Sequence, residues 1–386
     1  TFEAPILLDR LGQRSDLKLA ADAVRRGDGF LFDAKITGEH LELADALALL
    51  GLAGAPVQAT APAAKPAAAL ASRAIEPDAR PFWAGVRGEL TLDLKSITRG
   101  KDWAMTGLSG FVVVDPQRVA VQQLQGIINE KSRLGARVDL RFNGGATPYH
   151  LGGNFSLTDF DAGAFIKAFD PGKPPVLEGV VTIAGGFTGD GANLDQVIDR
   201  TRGQFQLTSH AGVFRGLKRT TEKVSVATKA VDAVAALGSL FGGDKVKGAA
   251  EKVAGASYVA DQIAAAVGEI QFDQLSIRAT RDDALNLRLD ELALLAPEVR
   301  LIGKGSVTHV PGKPLLEQPL TVNYTLAARG KIEQLFGKVR ALDGTKDDLG
   351  YSKLKDVGTI GGTLGRPDPS QLFIRLAQSK LADFLN

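Results

Sequence analysis

Apolar and polar residues alternate with a period of two through several stretches of the chain. In the stretch that starts at Val86, the apolar residues Leu90, Leu92 and Leu94 alternate with polar and charged neighbours. Successive side chains of a β-strand point to opposite faces, so this pattern predicts a strand with one apolar face. The same alternation carries Val138 and Leu140, then Leu285, Leu287 and Leu289, then Val299 and Leu301, and finally Val322, Tyr324 and Leu326.

Strands with one apolar and one polar face are typical of antiparallel sheets, because buried parallel strands are apolar on both faces. Glycine pairs such as Gly144 with Gly145 and Gly361 with Gly362 interrupt the strands at places that suit turns and bulges. The sequence therefore predicts a mainly β fold with some α. We expect a long, curved antiparallel sheet that forms a hydrophobic groove, with short capping helices and one helical hairpin.

Helices are predicted at four places. Residues 161–169 and 193–202 each begin with a capping Asp or Asn and carry apolar residues three and four apart, and residues 44–52 predict a further short helix. Residues 217–267 repeat the same spacing on either side of Gly242, which predicts an antiparallel hairpin. We expect its Val and Ala seam to pack on itself and on the sheet. The alternative is that its lysine-rich side faces anionic lipid head groups.

Composition shifts divide the chain into five predicted segments. An Ala- and Pro-rich stretch with few large apolar residues predicts a long surface loop. The segments are an N-terminal β segment with a short helix (1–55), the Ala/Pro-rich loop (56–81), β-groove repeats (82–210), the helical hairpin (211–267) and a C-terminal β region (268–386).

Charge and composition exclude several classes of protein. The chain has 46 Lys and Arg against 44 Asp and Glu, and the signs alternate along it, so we expect no nucleic-acid partner. Cysteine is absent, which removes disulfides and thiolate metal sites. The longest apolar run, residues 46–57, is too short to span a bilayer.

Candidate catalytic chemistry is sparse. The four histidines have neither the i, i+4 spacing of a helical metal pair nor an HExxH motif, and no GxSxG elbow occurs. Residues 303–306 resemble part of a phosphate loop but lack its first glycine and lie within an alternating strand. We therefore expect a protein that is not an enzyme, with no catalytic residue, no metal and no cofactor. The histidines are His40, His150, His210 and His309.

Several blocks in the second half of the chain resemble the C-terminal region of the AsmA-like family, which includes AsmA, TamB and YhdP. They occur in the family's order, and the resemblance covers residues 178–377, with a weaker likeness over 1–177. It implies a protein in the periplasm of a diderm bacterium that carries lipids between the inner and outer membranes along a hydrophobic β-groove. The long hairpin departs from the family. The blocks are 202–207, 210–217, 272–277, 285–294, 299–307 and 361–369.

Together these observations predict a non-enzymatic envelope protein that shelters lipid acyl chains. Its partners would be a phospholipid or other acyl lipid and envelope proteins, and it would be anchored to the membrane through a segment absent from this chain. The alternative is a scaffolding protein whose apolar faces close into a dry core and which binds protein partners. The predicted groove residues are Leu90, Leu92, Leu94, Val138, Leu140, Leu285, Leu287, Leu289, Val299, Leu301, Val322, Tyr324 and Leu326.

Overall fold

The computed structural model describes residues 2–10, 13–45, 77–100, 103–169, 172, 174–218, 262–355 and 357–371. Most of the Ala/Pro-rich loop, most of the helix predicted at 44–52 and the interior of the predicted hairpin lie outside these residues. Those three predictions therefore stay predictions.

The chain is mainly β with a few helices, which confirms the predicted fold class. The first nine strands are β1 (Phe2–Arg10), β2 (Gln13–Arg26), β3 (Gly29–Gly38), β4 (Leu41–Glu42), β5 (Val86–Arg99), β6 (Trp103–Asp115), β7 (Arg118–Ile128), β8 (Ser132–Phe142) and β9 (Tyr149–Asp161). The remaining strands are β10 (Leu177–Gly191), β11 (Arg202–Phe214), β12 (Ile270–Phe272), β13 (Gln274–Arg281), β14 (Leu287–Leu295), β15 (Val299–Val307), β16 (Leu320–Ala328), β17 (Leu342–Lys346), β18 (Ser352–Leu354), β19 (Gly358–Thr363) and β20 (Arg366–Asp368).

Two of the predicted short helices are present, and each follows its predicted capping residue. Helix α1 (Ala162–Phe169) follows Asp161, whose carboxylate accepts a hydrogen bond from the Ala164 N–H at 2.8 Å. Helix α2 (Leu194–Asp199) follows Asn193, whose side-chain oxygen accepts from the Gln196 N–H at 2.9 Å. Both bonds satisfy donors that a helix leaves free in its first turn. Further helical residues are α3 (Gly330–Lys338), a 3₁₀ turn (Leu315–Glu317) and residues 43–45, 262–268 and 370–371.

The chain forms two compact units. The N-terminal unit comprises Thr1–Phe160 and Ala184–Gly203, and the C-terminal unit comprises Asp161–Ile183 and Gln204–Asn386. Strands β10 and β11 thus contribute residues to both units.

In the N-terminal unit, strands β1, β2, β3, β5, β6, β7, β8 and β9 pair side by side in that order, and β9 also pairs with β10. These eight strands pair antiparallel except β3 and β5, which are parallel; the short strand β4 also pairs parallel with β5. The prediction of an antiparallel sheet is wrong at this position. The segment between β4 and β5 carries the chain back to the end at which β3 begins, and parallel pairing requires such a crossover.

In the C-terminal unit, β13, β14, β15 and β16 form an antiparallel meander, and β16 pairs further with β18 and β19. One face of this meander is covered by Ile332 and Phe336 of α3 and by Ile263 and Val267 of the helical residues 262–268. The cover and the strands share one hydrophobic core, so this face is closed.

The closed core predicts a sharp contrast between two neighbouring residues of β15. Leu301 is 0% exposed in the core, whereas Ile302 points to the other face and is 41% exposed. We expect Leu301→Ala to lower the free energy of unfolding by about 2–5 kcal/mol, because it leaves a cavity. Ile302→Ala should change it by less than about 1 kcal/mol. Urea unfolding followed by circular dichroism measures both values, and equal losses would contradict the closed core.

Candidate functional site

One face of the N-terminal sheet is apolar across all eight paired strands. Residues that lie opposite each other in paired strands share a face, so the registers define transverse rows. A row through the predicted groove residues Leu90 and Val138 is apolar from β1 to β9. Its members are Phe2, Ala21, Ala34, Leu90, Val112, Val121, Val138 and Gly153.

The rows on either side of this one are apolar as well. We call this set of rows the apolar face; at about 4.8 Å per strand it is roughly 34 Å wide. The row nearer Trp83 contains Ala23, Phe32, Gly88, Val114, Val119, Leu140 and Leu151. The row on the other side contains Ala4, Leu19, Ile36, Leu92 and Gly110, then Leu124, Ala136 and Phe155.

The opposite face of the same sheet is charged. Lys18 pairs with Glu3 at 2.8 Å and Lys35 with Asp93 at 3.8 Å, and all four side chains are more than half exposed. Exposed pairs of this kind stabilise a protein little, so they mark a solvated surface. The sheet is therefore amphipathic, with water on one side.

Asp139 carries the best-connected carboxylate on this charged face. Arg118 and Arg141 both donate to it, at 2.5 Å and 3.0 Å. Burial opposes its ionisation, but the hydrogen bonds from Arg141 and Arg118 outweigh that effect and hold the pKa of Asp139 below its usual value.

Over the central strands β5 to β7 the apolar face is closed at both ends. At one end Trp83, Phe142, Tyr149 and Val197 form a buried cluster with Leu140. The Trp83 indole N–H donates to the Asp115 carbonyl at 2.8 Å and the Tyr149 hydroxyl to the Asp78 carboxylate at 2.9 Å, so the polar tips of these rings are satisfied. At the other end the buried side chains are Leu41, Leu94, Ile97, Trp103 and Ile128.

The middle of the apolar face is only partly covered. Leu90, Leu92, Val112, Val121 and Val138 are neither buried nor fully exposed. A side chain packed in a core between two layers has an exposed fraction below a tenth, as Leu301 does in the C-terminal unit. The central aliphatic surface therefore remains accessible between two closed ends.

The structure divides the predicted groove residues into two groups. Leu90, Leu92, Leu94, Val138 and Leu140 all lie on the apolar face of the N-terminal unit, with Leu94 and Leu140 at its closed ends. The others lie in the C-terminal unit.

Most of that second group is buried in the closed core, which corrects the prediction that these residues line an accessible groove. The physical reason is the cover of helical residues described above. Leu287 and Leu289 are partly exposed, whereas Leu285 precedes β14 in a turn, where its φ of 65° departs from an extended strand. The buried members are Val299, Leu301, Val322, Tyr324 and Leu326.

Residues of β6 and β7 complete the apolar face but were not predicted. In β7 the apolar face holds Val121 and then Leu124, three positions later, because the register shifts between them. Gln123, with a φ of 52°, lies within this bulge. A search for period two fails across such a bulge. The signal in the sequence that could have identified these residues was the run of apolar residues on either side of the bulge.

A recess of about 440 Å³ opens in the C-terminal unit, and its lining includes side chains of the face opposite the closed core. Ser276, Ala293 and Ile302 lie in one register row along it. Its lining includes two charged residues that are already paired. Arg300 donates to Asp347 at 2.8 Å and to Asp348 at 2.6 Å, and Glu291 accepts from Arg278. The Ser209 hydroxyl in this lining donates to the backbone carbonyls of Val180 at 2.8 Å and Ala211 at 3.1 Å.

Within the described residues, no group of three or more His, Asp or Glu side chains is placed to hold a metal ion. The helices described there are also too short or too polar to cross a membrane. Comparisons with protein-family models, with curated proteins and with solved structures each found no match for this chain. The interpretation of the apolar face therefore starts from its geometry and chemistry.

The lowered pKa of Asp139 predicts a pH-dependent contribution to stability. A carboxyl group whose pKa is depressed by folding stabilises the protein above its unfolded pKa of about 3.9, and that contribution is lost as pH falls through the folded value. Asp139→Asn should therefore destabilise the protein at pH 7 and cost progressively less below pH of about 4. Urea unfolding at several pH values measures this difference.

The matched control is Asp93→Asn, on the same charged face. The carboxylate of Asp93 is 55% exposed and lies 3.8 Å from Lys35. We expect it to change stability by less than about 0.5 kcal/mol. A loss at Asp139 that is the same at every pH would contradict the ionic origin of its effect.

Proposed function

We propose that this chain is a non-enzymatic envelope protein that shelters lipid acyl chains on the apolar face of its N-terminal unit. The observation that carries the proposal is a surface of aliphatic side chains, eight strands wide, that stays partly exposed in its middle while its ends are closed over the central strands. The resemblance of several sequence blocks to the AsmA-like family supports the same proposal. It also suggests phospholipid transport between the inner and outer membranes as the process.

The energetic requirement matches the chemistry of this surface. Exposure of an acyl chain to water costs about 0.8 kcal/mol per CH₂ group, so a chain of roughly sixteen carbons needs shelter worth on the order of ten kcal/mol. Leu, Val and Ala provide that shelter without polar groups that fix one ligand in place. A surface of this kind suits many acyl lipids and favours movement along it over tight capture.

A second role is favoured for the C-terminal unit by its closed core. Leu301 and Tyr324 are almost fully buried under α3 and the helical residues 262–268, so the described strands β13 to β16 present no comparable apolar face. We propose that it serves as a structural element of the envelope protein and binds protein partners through its surface. The two roles concern different units and are compatible.

Lipid binding is tested by two negative charges placed in the middle of the apolar face. Leu92→Asp together with Val121→Asp puts carboxylates where acyl chains are proposed to lie, and burying them under a lipid tail is costly. We expect the wild-type protein purified from bacteria to carry phospholipid in native mass spectrometry and the double variant to carry at least about tenfold less.

The matched control moves each substitution by one residue along the same strands. Thr91→Asp with Gln122→Asp adds the same charge on the opposite, exposed face, and it should leave lipid content within about twofold of wild type. Circular dichroism confirms that both variants fold. A wild-type protein free of lipid, or equal lipid in the two variants, would overturn the proposal.

A further inference from the structure

The tip of the β2–β3 hairpin breaks the amphipathic pattern of its strands. Along most of β2 the face opposite the apolar face carries polar residues such as Lys18 and Asp22. At the tip, Val24 and Leu31 lie opposite each other on that face and both are exposed. Phe30, on the apolar face, is 55% exposed. The tip is therefore apolar on both sides, which an ordinary solvated hairpin avoids.

A second exposed aromatic side chain lies in the loop that is fixed to this hairpin. The Phe30 N–H donates to the Gly85 carbonyl at 2.7 Å, which ties the hairpin to the loop before β5. In that loop Phe82 is 67% exposed, and its ring meets the buried ring of Trp83 edge-on at 4.9 Å between centroids. Phe82 is thus an exposed ring that packs edge-on against a buried one.

Arginine residues surround these apolar side chains. Arg25 and Arg26 directly precede the hairpin turn, Arg80 lies two residues before Phe82, and Arg87 lies opposite Leu31 in the register; all four are exposed. Asp28 lies in the turn itself, and the carboxylates Asp22, Asp33 and Glu89 form the next row behind the tip on the outer face. Guanidinium groups bind phosphate with two parallel hydrogen bonds, and exposed aromatic and aliphatic side chains partition into the head-group region of a bilayer.

We propose that this tip docks the N-terminal unit onto a bilayer that contains anionic phospholipids. Phe30, Leu31 and Phe82 enter the interface, and the arginines bind lipid phosphates. Because the arginines lie at the tip beside the apolar side chains, the surface favours an anionic membrane as its partner and not a protein. The docking does not depend on the proposed sheltering of acyl chains. Because Phe30 lies on the same face as Phe32, it would bring one end of the apolar face to the membrane.

Vesicle flotation tests the docking. The probes are vesicles of phosphatidylcholine and phosphatidylglycerol at about seven to three, and vesicles of phosphatidylcholine alone. We expect the wild-type protein to float with the anionic vesicles and to be released by high salt. The triple variant Val24→Thr, Phe30→Thr and Leu31→Thr should partition onto the vesicles at least about tenfold more weakly. The single variant Phe82→Ser should partition at least about threefold more weakly. Threonine keeps the preference for a strand, and the Phe82 change lies in a loop, so neither relies on a disrupted fold.

The matched control removes exposed apolar side chains elsewhere. Leu315 and Leu316 in the 3₁₀ turn are each 63% exposed, and Leu315→Ser with Leu316→Ser should leave flotation within about twofold of wild type. Flotation of the tip variants at wild-type levels, or equal binding of the wild type to both kinds of vesicle, would overturn the docking proposal. Binding of a fluorescent fatty acid without vesicles tests the apolar face separately. A protein that floats but binds no fatty acid contradicts the proposed function alone.

Discussion

Strand pairing forces residues that lie opposite each other onto the same side of a sheet, and the architecture of the N-terminal unit depends on this constraint. A slip of one residue in any of its pairings would place charged residues such as Asp93 and Asp139 among the leucines and valines. The bulge in β7 illustrates how the constraint is met. Between Val121 and Leu124 the strand takes up an extra residue, with Gln123 at positive φ, and the apolar side stays continuous. Without that adjustment Gly126 and Ile128 would leave the apolar face.

The same strand pattern has two outcomes in this chain. Strands β13 to β16 alternate as regularly as β5 to β8, yet their apolar face is covered by Phe336, Ile332 and the helical residues 262–268. In the N-terminal unit the corresponding central side chains keep part of their exposure. The difference lies in what packs on each sheet. In both units, apolar strand surface is removed from water where other residues pack on it. The partly exposed aliphatic strip of the N-terminal unit is therefore the surface on which we propose that a lipid binds.

This difference sets the limit of what sequence alone predicts. Period two identified the strands that carry Leu90, Leu92 and Val138 and the side of the sheet on which they lie, because that depends only on local geometry. It could not tell Val138, which remains partly exposed, from Leu301, which is wholly buried, because cover comes from residues distant in sequence. The parallel pairing of β3 with β5 was missed for a similar reason. Alternation identifies which face of a strand is apolar, but it does not identify the strand that pairs with it. The long segment between β3 and β5 was nevertheless a signal of a crossover.

Glycines within the apolar face explain why it is a surface and not a set of pockets. A Cβ atom at Gly153 would lie 2.5 Å from the ring of Phe187, one at Gly88 2.7 Å from the ring of Phe32, and one at Gly110 3.0 Å from Leu124. Large side chains thus lie over glycine positions of neighbouring strands and fill the gaps that the missing side chains leave. The apolar face is therefore filled at these glycine positions. For the proposed acyl chain this means aliphatic and aromatic contacts in place of gaps, which favours sliding over capture at one position.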